Sequence, residues 1–297
     1  MKKNKIIILI IIILVAIIGI CLAYSKGLVF KKQESNDEKV DQIKEENLNL
    51  NDERFINLYN ELKDYTYEQN RISYESFTQN ELAKIAFDSI QFKKTDFTKT
   101  NDISDFGTNY YLIKASLFQD KISEIFGENV KFEKEKAIGT GIKVVENVEP
   151  ENTYMSIYSY NKDDDTYTVI FGASGVPLLP YIKFDLRKIV SATLSDDIIT
   201  VKEKVIYVDY SVSAGESTDM IMYCRIYNLN HYEANSPYID SKTYHSDKDS
   251  GKVLSVDSYL DKAATITHIY KLNKTTGKYN FVKSTIENGP IDNLTER

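Results

Sequence analysis

The sequence predicts an α+β protein: an N-terminal transmembrane helix, then a soluble domain of about three helices packed on a curved antiparallel β-sheet. Three observations predict it. Residues 6–25 carry no charge and are mostly isoleucine and leucine. Between residues 51 and 127 apolar side chains recur with the 3.6 period of helices. Beyond Gly127 the period falls to 2, and turn residues separate the runs.

The chain opens Met1-Lys2-Lys3-Asn4-Lys5 ahead of the uncharged run. A helix rises about 1.5 Å per residue, so about 20 residues cover the roughly 30 Å of bilayer hydrocarbon. The run is apolar on every face, which suits lipid better than a protein core. It reads as an uncleaved signal anchor. Two other fates compete: cleavage near Ala23-Tyr24-Ser25, and lipidation at Cys21. The run is longer than a signal-peptide core, and Ile20 stands where lipoprotein processing takes a small residue. The first 32 residues hold six lysines and no Asp or Glu. A short basic tail is retained in the cytoplasm and a long domain is exported largely regardless of its charge. The reading is therefore a cytoplasmic tail at 1–5, a span at 6–25, a charged linker at 26–50, one extracytoplasmic α+β domain at 51–288 and a tail at 289–297. The lipid bilayer is then a partner through residues 6–25.

The whole chain has 37 basic and 44 acidic residues, which leaves residues 33–297 with 31 against 44 and a net charge of −13. An acidic surface repels polyanions, so nucleic acid is disfavoured as a partner. Of two cysteines, Cys21 lies in the apolar run and Cys224 stands alone beyond it, so no disulfide forms within the soluble domain. There are 22 tyrosines and no tryptophan, in a Lys-, Asn- and Ile-rich chain. That is the bias of an AT-rich bacterial genome. The tyrosines read mainly as codon bias and strand cores, with a carbohydrate-binding surface as the sharper alternative.

The first helical pattern is Phe55, Leu58, Tyr59 and Leu62 behind the acidic start Asn51-Asp52-Glu53. In the second, Thr78-Gln79-Asn80-Glu81 forms a capping box ahead of Leu82, Ile85, Ala86 and Ile90. The third runs from Tyr110 to Phe126, with Gly127 capping it in the left-handed conformation. Strands follow: 154–160 and 166–171 around Asp163-Asp164-Asp165, then 188–194 and 198–210, then 220–227, then 264–272 and 278–286. Long hairpins without helices between them mean an antiparallel sheet. Helices followed by hairpins are similar in order to cystatin-like and NTF2-like cups.

Few residues point to chemistry. His268 alternates with Ile266 and Tyr270 and reads as a core histidine. His231, Glu233, His245 and Asp247 flank a polar, tyrosine-rich stretch and are weak metal candidates, at no recognisable ligand spacing. Gly172-Ala173-Ser174-Gly175 brings the second glycine one residue too early for a hydrolase nucleophile turn, and Pro177 and Pro180 do not open a helix there. Asp163-Asp164-Asp165 and Asp247-Lys248-Asp249-Ser250-Gly251 miss the calcium-loop pattern and read as turns. Cys224 sits in an apolar strand and reads as a buried small hydrophobe. There is no P-loop, dinucleotide fingerprint or zinc-protease motif, so neither catalytic residues nor a cofactor are expected. What remains is a non-enzymatic envelope module that binds a protein or small ligand. The alternatives are an extracytoplasmic hydrolase whose site converges only in three dimensions and a carrier of hydrophobic ligands.

Overall fold

The computed structural model describes residues 45–67, 70–103, 109–127, 129–145, 153–172, 182–214, 219–228 and 238–287. In chain order the elements are β1 (Glu46–Asn47), α1 (Ile56–Leu62), α2 (Gln79–Ser89), β2 (Thr98–Ile103), β3 (Asn109–Lys114), α3 (Ser116–Phe126), β4 (Lys143–Val145), β5 (Thr153–Asn161) and β6 (Thr166–Gly172). There follow β7 (Lys183–Asp185), β8 (Arg187–Ser195), β9 (Ile198–Val205), β10 (Tyr207–Ala214), β11 (Met220–Tyr227), β12 (Asp240–His245), α4 (Ser246–Asp249), β13 (Val253–Ser255), β14 (Ala264–Asn273) and β15 (Lys278–Ile286).

The expected fold class is overturned. Three helices on one curved sheet do not describe this chain, which is mostly β and builds four sheets among the described residues. Two are five-stranded, ordered β1-β8-β9-β14-β15 and β2-β3-β6-β5-β4; one is three-stranded, β10-β11-β12; the last is the parallel pair β13-β7. The period-2 signal found strands but not their partners, because pairing is a long-range property that alternation does not encode. The transmembrane helix has no counterpart either: no described helix is long and apolar enough to cross a membrane, and residues 6–25 lie outside those described. Membrane association therefore has no support in the described structure.

Local signals explain the helices. Thr78 Oγ1 accepts from the Glu81 N–H while the Glu81 carboxylate accepts from the Thr78 N–H, closing the capping box of α2. The acidic start before α1 is instead a turn: Asp52 accepts from the Arg54 N–H and side chain, and the helix begins only at Ile56. Residues 110–114, expected as the first turns of a helix, are strand β3, and α3 starts at Ser116. Aromatic and β-branched Tyr110-Tyr111-Leu112-Ile113 favours a pleated surface. Gly127 ends α3 at φ 103° and ψ 168°, an extended positive-φ conformation open in practice only to glycine, and not the expected left-handed cap.

One core joins α1, α2, α3 and the inner faces of both five-stranded sheets. Helix α3 touches each sheet: Phe118 meets Tyr167 edge-on at 4.9 Å, and Phe126 meets Phe281 at 5.9 Å. A second core lies under the three-stranded sheet, where Met222, Cys224 and Ile226 pack on Ile182, Ile206, Leu254, Val256 and Tyr259. A break in alternation joins the second core to a third, smaller one formed by Val205, Ala264, Ile266 and Ile286. Val205 and Ile206 are consecutive and both fully buried. The strand expected across 198–210 therefore reverses its faces there and passes from one sheet into the next, with the Ile206 N–H bonded to the Leu186 carbonyl.

Candidate functional site

Alternation along β11 places the site. Met222, Cys224 and Ile226 turn into the second core, so Tyr223 and Arg225 face the other way and are exposed. The register then builds two rows across the sheet. Asp209 stands opposite Arg225, which stands opposite Ser241; Ser211 stands opposite Tyr223, which stands opposite Thr243. These six line a groove of about 430 Å³, together with Tyr238. Among the described residues none of the six side chains has a hydrogen bond, ion pair or ring contact. Asp209 and Arg225 are opposite charges at directly opposed positions and still do not pair.

A row of tyrosines runs beside the groove. The guanidinium of Arg187 lies 4.6 Å over the Tyr67 ring. Tyr67 to Tyr207 is 6.1 Å, Tyr207 to Tyr227 is 6.2 Å and Tyr227 to Tyr238 is 6.4 Å. Tyr59, Tyr167, Tyr259 and Tyr270, by contrast, are core residues, as the plainer reading of the tyrosines expects.

The far end of the three-stranded sheet holds a second cluster. His245 Nδ1 lies 2.8 Å from Asp219 Oδ2, and Asp219 Oδ1 accepts from Ser246 Oγ at 3.0 Å and from the Asp247 N–H at 3.4 Å. Hydrogen bonds from His245 and Ser246 hold the Asp219 carboxyl down at about 2. Asp219, His245 and Asp247 offer ligand atoms within 4.8 Å of one another. A divalent cation there has to displace hydrogen bonds that already satisfy Asp219, so the set fits a cap on the turn at Ser246 better than an open metal site. Of the four metal candidates in the sequence, His245 and Asp247 come together with Asp219; His231 and Glu233 lie outside the described residues, as does Ser174. Ser246 and His245 both bond to Asp219 and not to each other, which is not the serine–histidine relay of a hydrolase.

A concavity of about 650 Å³ opens beside α1 and β8. Lys63, Asp64, Asp185 and Arg187 line it beside Leu50, Phe184, Leu186 and Ile189, a mixed lining and not the predominantly apolar one a hydrophobic-ligand carrier needs. Beneath it Glu203 is wholly enclosed; it accepts from Tyr59 Oη at 2.5 Å and lies 2.8 Å from His268 Nε2. Burial pushes the Glu203 carboxyl up, and the His268 hydrogen bond, the neighbouring positive charges and Tyr59 outweigh it, leaving the pKa below the ordinary glutamate value. An anionic carboxylate only accepts, so Nε2 is the donor. Glu203 reaches no solvent. Its work is to join α1 to the sheet.

Sequence reasoning placed His268 and Cys224 in the core, where they are. It did not single out Asp209, Arg225, Tyr238 or Asp219. Their signal was faint: Tyr223 and Arg225 occupy the outward positions of an alternating run, but nothing in the sequence names their cross-strand partners. Comparison with protein-family models, curated proteins and solved structures finds no match for this chain.

Proposed function

We propose that this chain is an extracytoplasmic binding module, not an enzyme, and that the outward face of the β10-β11-β12 sheet is its binding surface. One observation carries the reading: six polar and aromatic side chains converge on a groove with their hydrogen-bonding capacity unused among the described residues. Preformed concavities with a few convergent polar groups are where ligands are held. The placement outside the cytoplasm rests on the sequence, in the uncharged run at 6–25 behind a basic N-terminus.

The test is a thermal-shift comparison of the full chain with the double variant Tyr223→Ala/Arg225→Ala, against cell-wall fragments and purified envelope proteins. Both sites are exposed, so the variant should fold with nearly unchanged stability. A ligand that raises the melting temperature of the native chain and not of the variant supports the reading. A ligand that stabilises both equally binds elsewhere and sinks it. Localisation is checked by protease accessibility on intact cells, where an uncleaved domain argues against export.

A further inference from the structure

We infer that the ligand of this face is a neutral saccharide; the inference rests on the binding-module reading above. A sugar ring presents a weakly apolar C–H face and a rim of hydroxyls that both donate and accept. Tyr223 and Tyr238, 47% and 52% exposed, supply flat aromatic surfaces for the first. Asp209 supplies acceptors only, Arg225 donors only, and Ser211 and Thr243 either. Carboxylate and guanidinium are two-pronged groups, suited to a pair of neighbouring hydroxyls. The two rows are two residues apart along the strands, about 7 Å, which is the scale of one ring with its substituents.

Charge decides between neutral and charged sugars. Asp209 and Arg225 balance each other at the groove, and Lys242 is paired with Asp240 at 3.1 Å. The surrounding chain is strongly acidic, which repels an anionic polymer. Position decides against a peptide. An extended peptide joins a sheet at its edge through main-chain bonds, whereas this groove lies over the outward face, centred on Tyr223 and Arg225 of the middle strand β11, whose main chain is paired on both sides, and not along the outer edge of β10 or β12. Opposed charges across strands ordinarily close on each other; Asp209 and Arg225 instead both line the groove, as groups that meet a third partner do.

The experiment is titration calorimetry with the full chain in mild detergent. The probes are a chito-oligosaccharide, a β-glucan oligosaccharide, an oligogalacturonate and an extended peptide of similar length. The expected result is saturable binding of a neutral oligosaccharide that changes little with salt. Tyr223→Ala and Arg225→Ala each weaken it about tenfold at unchanged melting temperature. If no neutral saccharide saturates, if the variants bind as tightly as the native chain, or if the oligogalacturonate binds best, the inference falls. Tyr223-dependent binding of the peptide alone overturns the sugar while leaving the binding module standing. Failure of every probe, together with no ligand that distinguishes the double variant by thermal shift, overturns both.

Discussion

Tyr59 on α1 donates its phenolic hydrogen to Glu203 on β9, and this one bond crosses from a helix to a carboxylate that solvent does not reach. Removing the donor leaves a buried charge short of a partner, which costs about 1–3 kcal/mol. Tyr59→Phe is therefore expected to lower the urea midpoint at unchanged slope. Glu203→Ala, which strands His268 and opens a cavity as well, should cost more. Equal stability of Tyr59→Phe and the native chain would show that the bond contributes nothing.

Glu203 also sets a pH dependence. Its folded pKa lies below the ordinary glutamate value of 4.5. A carboxyl so depressed contributes stability that is fully present above 4.5 and is lost as pH falls through the folded pKa. Asp219 acts in the same direction, between 3.8 and about 2. Denaturation midpoints should thus hold steady near neutrality and fall below about pH 4.5. Glu203→Gln should flatten the upper part of that fall, and Asp219→Asn the lower part. A native profile that rises on acidification contradicts the assignment.

At the turn, Asp219 serves Ser246, Asp247 and His245 at once. Asp219→Ala should speed amide hydrogen exchange at 245–249 and leave the main core unchanged. Stabilisation by zinc that disappears in His245→Ala would instead assign the cluster to a metal. The expected outcome is no zinc-dependent change in melting temperature and none on adding a chelator.

Burial pushes the Cys224 thiol up to about 11, and its side chain is enclosed in the second core. Thiolate is the reactive form, and little of it exists near neutrality. In a Cys21→Ser background, labelling by a thiol reagent should be slow in the native protein and become fast in denaturant. Rapid native labelling would place Cys224 at the surface.

What was legible in the sequence was local. The Thr78–Glu81 box is written within four residues, and the burial of His268 follows from its neighbours two positions away. Tyr110 to Ile113 fits the end of a helical pattern as well as a strand, and only pairing with β2 and β6 decides it. The single curved sheet failed for the same reason: each hairpin was readable, but which hairpins share a sheet depends on contacts between distant segments. Even β1, which pairs with Thr193 and Leu194, lies inside the stretch read as a linker. The groove was illegible because Asp209, Arg225 and Ser241 become neighbours only through register.

The paired burial of Val205 and Ile206 has a thermodynamic consequence for the groove. One continuous run of backbone belongs to both the large sheet and the small one, and the bond from Ile206 to Leu186 clamps the crossing point. The face that carries Arg225 is thereby held in register by a strand rooted in the main core rather than by a loop. A ligand settling there meets groups already in position, so little of its binding energy is spent on ordering the protein.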